Sequence, residues 1–380
     1  MPSRASRVAL SLTAAGVAAA AALLSGGPAL ADPNPSSPGT PVTGVTDDTK
    51  LAAGVGADAD AELVNAIVTE YNARPSATDP QLESFDAVNP QTGTAGEQIV
   101  TKPGCSIARP NGANAGATAL LAKAKATGAG GDSTSLCVDY ARMSRAKKTD
   151  GSEATLDFYA LTTDAVTWAA VTGSYAPATL SKAQLKDIFE CTDTDWSQVG
   201  GQAGPIHVYV PPSSSATYTF FLQAIGSSIA NVTTGCGSAA ITAQQNDGTK
   251  LTGDPEAIAP YAIGKWASQS NVESDSSILV KDLRGGTVLG SATAATGDAY
   301  VSPTTTLSGY LVNNPSFTAP FTRTLFTATL NTSTPAYFPS SLADAIFGTT
   351  GFVCTDSGVQ SVFARYGFSP LSASACGQKS

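Results

Sequence analysis

A strand, a turn of small residues and a helix follow one another repeatedly along this chain of 380 residues, and that alternation restricts it to α/β layers rather than a sandwich or a bundle. The first unit runs from the buried stretch Lys50-Leu51-Ala52-Ala53-Gly54-Val55-Gly56 through Ala57-Asp58-Ala59-Asp60. It enters a segment whose Leu63, Val64, Ile67, Val68 and Tyr71 share one helical face. Next, Arg109-Pro110-Asn111-Gly112-Ala113-Asn114-Ala115-Gly116 opens a helix over Ala117 to Ala126, and Cys137 to Arg142 reads as a strand. Leu156 to Leu161 is another strand, ending at Asp164. Ser181-Lys182-Ala183-Gln184 is a capping box for a helix through Phe189, and Ile206 to Val210 is a strand leading through a Pro-Ser loop to a helix from Tyr218. From about Asp298 the pattern changes to a β-rich stretch at Thr322 to Leu330, a helix near Leu342 to Phe347 and a final helix around Val359 to Tyr366. This part lacks a start of its own and is expected to complete an earlier lobe.

The ends of the chain indicate where it works. Arg4 and Arg7 precede an apolar run from Val8 to Leu24, then a Gly-Gly-Pro breaker and Ala29-Leu30-Ala31, which is the grammar of a cleavable signal peptide. A secreted protein beginning near Asp32 is expected, with residues 32 to 48, rich in Pro, Ser, Gly and Thr, as a flexible leader. The first cysteine is Cys105, so none stands near the cleavage point to accept a lipid, and no direct membrane anchor is expected. With 21 basic against 30 acidic residues and a net charge of -9, the chain has no basic stripe for nucleic acid.

Six cysteines in an exported chain read as disulfides, and of the fifteen connectivities the expected one is Cys105 to Cys137, Cys191 to Cys236 and Cys354 to Cys376, each pair within one segment. His207 is the only histidine, so no ordinary zinc site is expected, and no cofactor is implied. It lies in the alternating run Ile206 to Val210 as a strand-face residue. Trp168, Trp196 and Trp266 are expected to pack in the core or at a hinge, and the sequons at Asn231 and Asn331 mark exposed loops.

Two loops place backbone N–H groups and hydroxyls at a helix start, where an anion is readily held. They are Gly54-Val55-Gly56-Ala57-Asp58 and Pro211-Pro212-Ser213-Ser214-Ser215-Ala216-Thr217. With Arg109-Pro110-Asn111-Gly112, Ala141-Arg142-Met143-Ser144-Arg145, Thr163-Asp164-Ala165-Val166-Thr167-Trp168, Leu180 through Phe189, Trp196 through Gly201 and Tyr366-Gly367-Phe368-Ser369-Pro370-Leu371, they stand in an order that resembles the phosphate-binding-protein-like family of type II extracellular solute-binding proteins. The resemblance covers roughly residues 48 to 376. It implies a two-lobed type II periplasmic-binding-protein-like fold, each lobe a mixed sheet flanked by helices, with the ligand cleft between lobes. The layout expected is lobe 1 over 49–163, lobe 2 over 164–280 and completion of lobe 1 over 281–380, with chain crossings near Thr163 and between Trp266 and Asp298.

The resemblance further implies a binding set of Ala57, Asp58, Asn114, Ser144, Arg145, Ser214, Ser215, Ala216 and Thr217. The family's Ser-Gly-Thr loop becomes Ser215-Ala216-Thr217, which keeps both hydroxyls and loses the glycine. The arginine four residues before that serine is Pro211, so a bidentate clamp is missing. Asp58 occupies a threonine position, the serine-rich loop reads Gly112-Ala113-Asn114-Ala115, and the Ser-Asp pair after the third strand is Ser144-Arg145, whose cation can replace the lost arginine. Arg142, Arg145, Lys147 and Lys148 have an equally ordinary reading as solvated strand-end charges, which for Arg145 stands beside the ligand role.

The leading expectation is a monomeric, secreted solute-binding protein that captures a small oxyanion, phosphate first, for an ABC permease. The alternative is a secreted or cell-surface interaction protein that keeps the fold and has lost anion binding. Catalysis is not expected: Ser144-Arg145-Ala146-Lys147 fits S-x-x-K, but its companion elements, a nucleophile elbow and a Walker loop are missing from the sequence.

Overall fold

The computed structural model describes residues 32–33, 38–41, 45–74, 78–127, 134–317 and 319–380; the signal-peptide reading lies outside them. In chain order come β1 (Leu51–Gly56), α1 (Ala61–Asn72), β2 (Gln81–Ser84), β3 (Gln98–Lys102), β4 (Cys105–Ala108), α2 (Ala113–Ala122), β5 (Tyr140–Met143) and β6 (Leu156–Val171). There follow β7 (Thr179–Ser181), α3 (Lys182–Phe189), β8 (His207–Val210), α4 (Ala216–Ile225), α5 (Ile229–Cys236), β9 (Ile241–Thr242), β10 (Ala257–Ala262) and α6 (Ile263–Asn271). The last part holds β11 (Thr287–Leu289), β12 (Ser291–Thr293), β13 (Thr304–Leu307), β14 (Tyr310–Asn313), β15 (Thr322–Leu330), α7 (Ser340–Phe347), α8 (Phe352–Thr355), α9 (Ser357–Arg365) and β16 (Ser369–Pro370).

One mixed sheet runs through both lobes in the order β2-β1-β5-β15-β6-β10-β8-β9, with β11 and β16 also on β6. β6 is the spine. Expected to end at Asp164, it continues to Val171: through Ala165 it pairs antiparallel with β15, and from Val166 it pairs with β10. Its buried residues on both sides of that switch explain the continuation, since neither half meets solvent.

Three apolar clusters fill the layers. The five helical-face residues of α1, all buried, pack with α7 and α9 on one side of the first lobe, while Ala113, Ala117 and Leu120 of α2 pack with Val55, Phe158 and Ala328 on the other. In the second lobe Leu185, Ile188 and Phe189 of α3 pack with Phe221 and Leu222 of α4 and with buried Trp168 and Trp196. The capping box at Ser181 and Gln184 is formed.

Several details differ from the sequence reading. α2 begins at Ala113, four residues before expectation, because Gly112 takes φ +100° and turns the chain directly into the helix. The segment 32–48, read as a flexible leader, contributes packed residues: Asp32 is buried against Arg109, and Asp48 is buried too. Arg142 is fully buried rather than solvated, donating to the carbonyls of Ala57 and Phe85 and to the Ser84 hydroxyl. Beyond α6 the chain alternates between the clusters: Ile278, Val280 and Tyr310 pack with α1 and α9, whereas β11 pairs with β6, β12 pairs with β7, and Phe317 and Phe321 pack with α3 and α4. The three disulfides join the expected pairs, with Cα separations of 5.3, 4.9 and 5.8 Å. Among the described residues no helix is long and apolar enough to cross a membrane.

Candidate functional site: an interlobe cleft with two polarities

Three helix starts meet where the lobes face each other: the Ala57–Asp60 turn before α1, Gly112 before α2 and Ser215 before α4. Ala57 and Ala113 of the first lobe and Ala216 of the second belong to one buried cluster, so the methyl of Ala216 packs across the cleft. The backbones also touch. A Cβ at Gly112 would lie 3.3 Å from the Ser214 carbonyl oxygen of the opposite lobe. The first loop is held rigidly from below, since Arg142 donates from Nε to the Ala57 carbonyl at 2.8 Å while the Ala57 N–H donates back to the Arg142 carbonyl at 3.0 Å.

Ser215 is the N-cap of α4: its Oγ accepts from the Tyr218 N–H and donates to Gln245 Oε1. Ser214, beside it, is exposed. Thr217 is buried, and its hydroxyl accepts from Arg323 Nη2 at 3.1 Å. The same guanidinium donates to Asp164 Oδ2 at 2.8 and 3.2 Å and to the Ser144 carbonyl at 3.2 Å. Arg323 therefore joins Ser144 of one lobe to Thr217 of the other. Arg145 donates from Nε to Asn114 Oδ1 at 2.7 Å and forms a two-pronged pair with Glu153.

Of the expected binding set, Asn114, Arg145 and Ala216 line one cavity and Asp58 lines another, while Ala57, Ser144, Ser214, Ser215 and Thr217 line neither. The first, about 450 Å³, is lined by Asn114, Arg145 and Ala216 together with Phe220, Gln223 and Arg323, and no carboxylate is among its lining residues. The second, about 420 Å³, is lined by Asp58, Glu62, Asp86, Asp247 and Asp282 against only Lys265 and Lys281. Asp58 is thus turned away from the arginines: its carboxylate accepts from Asn246 Nδ2 at 2.8 Å and lies 3.5 Å from Lys265 Nζ. Burial works against the Lys265 ammonium, but Asp58 and Glu62 outweigh it and raise its pKa. Asp86 is pushed well above the carboxylate range by burial and then by Asp32 and Glu62. The first cavity is thus lined by two guanidiniums, paired behind the wall with Glu153 and Asp164, and the second mostly by carboxylates.

Sequence reasoning missed Arg323 and its counter-ion Asp164. The available signal was a basic residue near the start of an otherwise apolar, β-branched strand, because a buried arginine needs a carboxylate partner. It also gave His207 no partners, whereas Nδ1 lies 2.9 Å from Asp254 and Nε2 3.6 Å from Glu256, one imidazole with two carboxylates at the edge of the second lobe.

No curated protein matches the chain in sequence. Among solved structures it is similar to a protein described as a phosphate ABC transporter substrate-binding protein with bound phosphate from Clostridium perfringens: 13% identity, TM-score 0.54, 85% of this chain and 100% of that one covered. It is also similar to an ABC-type phosphate transport receptor from Vibrio cholerae, at 16% identity and TM-score 0.51, covering 84% of this chain and 100% of the other. At such identities the likeness is one of fold. Residues 108–324 match the model of the PBP superfamily domain. That span is more than half of the chain, and with two lobes threaded by β6 and β15 the protein belongs to the PBP superfamily and has its two-lobed type II solute-binding fold.

Proposed function

We propose that this chain is an exported solute-binding protein that captures an oxyanion, phosphate first, between its lobes and delivers it to an ABC permease. One observation carries the reading: the cavity of about 450 Å³ between the lobes holds the guanidiniums of Arg145 and Arg323 and the amide of Asn114, with no carboxylate in its lining. Glu153, Asn114 and the Ala146 carbonyl hold the Arg145 guanidinium and Asp164, Ser144 and Thr217 hold that of Arg323, which leaves one N–H on each for an oxyanion, and partial burial strengthens each charge-assisted bond. The names of the similar structures support phosphate as the first solute to try. Capture works by closure, with β6 and β15 as the crossing strands and Arg323 as the group that reaches both lobes. Action as a monomer and secretion after removal of the first 31 residues belong to the same proposal.

A second reading has its own observation. The methyls of Ala57, Ala113 and Ala216 are buried together, and Pro211 stands where the family resemblance implies an arginine, which suits a protein that keeps the fold as an interaction module. Thermal unfolding of the ligand-stripped mature protein separates the two. Phosphate at 100 times its dissociation constant stabilises a binder by about 2.7 kcal/mol. A rise with phosphate that is absent in Arg323→Gln supports the first reading. A folded protein indifferent to phosphate, sulfate and other small oxyanions supports the second.

A further inference from the structure

The cavity with the two arginines is much larger than the ion proposed for it. A tetrahedral oxyanion displaces the space of roughly two or three waters, at about 30 Å³ each. The cavity measures about 450 Å³ and is half open to solvent, so such an ion occupies only part of it. The remaining walls have a definite chemistry. Phe220 on α4 and Phe326 on β15 both line it and are half-buried, one contributed by each lobe's packing. Phe220 lies under the Arg323 guanidinium, 5.4 Å from ring centroid to Cζ, and Phe326 is held edge-on by Phe158 at 6.0 Å and 63°. Thr219, Thr322, Thr324 and Gln223 also line the cavity.

We propose that the solute of this cavity is a phosphate monoester, its phosphoryl group on Arg145 and Arg323 and its organic group against Phe220 and Phe326. The proposal rests on the oxyanion reading above and names the class of molecule. A partly exposed aromatic pair next to a cation offers an apolar or aromatic substituent both area and an edge or face to stack on. A bare ion uses the arginines only. Hydroxyls and the amide of the wall suit the bridging ester oxygen or a polar substituent.

Calorimetric titration of the full mature chain, stripped of ligand, tests this with inorganic phosphate, phenyl phosphate and phenol as probes. Phenyl phosphate is expected to bind about tenfold or more tighter than inorganic phosphate, and phenol not at all at the same concentrations. Phe220→Leu and Phe326→Leu, which keep apolar packing, are expected to shrink the preference for phenyl phosphate over phosphate to within about twofold. Equal or tighter binding of inorganic phosphate in the native protein overturns the monoester proposal and leaves the oxyanion reading standing. A preference for phenyl phosphate that both leucine variants retain also overturns it, because the organic group then sits elsewhere. If neither anion binds, the oxyanion reading itself fails.

Discussion

Arg323 donates to the Thr217 hydroxyl at 3.1 Å from a guanidinium that Asp164 clamps at 2.8 Å, so a strand of the crossing region grips the first turn of α4. The pair links sequence positions 106 apart and brings a cation from a strand to the helix start that follows Pro211. Asp164 is fully buried and also accepts from the Gly264 N–H at 3.0 Å. The guanidinium is therefore positioned before any ligand arrives, and its spare capacity points at the cavity it lines with Arg145.

Arg323→Gln is expected to abolish the thermal response to phosphate and to lower stability by about 3 kcal/mol, because it leaves the Asp164 carboxylate buried without its cation. Arg323→Lys should recover part of the stability and little of the anion response, since an ammonium supplies charge but no fork. Denaturant unfolding and calorimetric titration of both variants check the two effects separately. Normal phosphate binding in a folded Arg323→Gln protein would put the anion elsewhere.

Asp60 predicts a pH dependence. Both carboxyl oxygens are buried without a hydrogen-bond partner, and burial raises the pKa from 3.8 to about 7 against the partial relief of Arg142. The folded state therefore keeps the proton that the unfolded chain releases near pH 4. This stabilising contribution is complete below about pH 4, is lost as pH rises toward 7, and is flat above. The interval of about three pKa units sets an upper bound on the order of 4 kcal/mol. Asp60→Asn is expected to be more stable than the native protein at pH 8, with the difference vanishing at pH 4. Parallel unfolding curves for the two proteins across that range would refute it.

The fold was readable in the sequence because its signals are local. The α1 face of Leu63, Val64, Ile67, Val68 and Tyr71 and the Ser181–Gln184 box need only helical spacing, and the strand Thr322–Leu330 needs only its β-branched run. β6 was cut short because the polar run Thr162, Thr163 and Asp164 imitates a strand end. Only the structure supplies Arg323, the Ser369 carbonyl and the Gly264 N–H as partners that let it run on buried. The site was less legible for the same reason. Asn114, Arg145 and Ala216 do share a cavity, but Asp58 faces another, and which way a carboxylate turns depends on Asn246 and Lys265, about 190 to 210 residues away.

Gly112 predicts how closely the lobes must meet. Its φ of +100° is costly for any other residue, and an added Cβ would sit 3.3 Å from the Ser214 carbonyl across the cleft. Gly112→Ala is expected to cost at least about 1 kcal/mol through the backbone and to weaken anion binding further by holding the lobes apart. Small-angle scattering with saturating ligand should report a larger radius for the variant than for the native protein. Equal radii and equal affinities would mean that closure does not bring these two backbones together.

Asp32 predicts a cost for any chain that lacks it. Its carboxylate takes two hydrogen bonds from Arg109, at 2.9 and 2.8 Å, and one each from the Gly39 and Asp86 N–H groups, both at 2.7 Å. Arg109 is buried, and its other carboxylate partner is Glu97 at 2.9 Å. Cleavage after Ala31 leaves this clamp intact, whereas loss of a few more residues strands a buried guanidinium that one partly exposed glutamate does not neutralise alone. Asp32→Ala is therefore expected to lower stability by about 2 to 4 kcal/mol, and a chain beginning at Pro38 by at least as much. The damage should reach the acidic cavity and spare the cavity with the arginines, because Arg109 also holds the Asp86 carbonyl at 3.0 Å and Asp86 lines the acidic cavity beside Asp58. Under the proposed export with removal of the first 31 residues, N-terminal sequencing of the mature protein returns Asp32 first. A mature protein that begins beyond Asp32 and unfolds at the same temperature as one that retains it would show that the clamp contributes nothing.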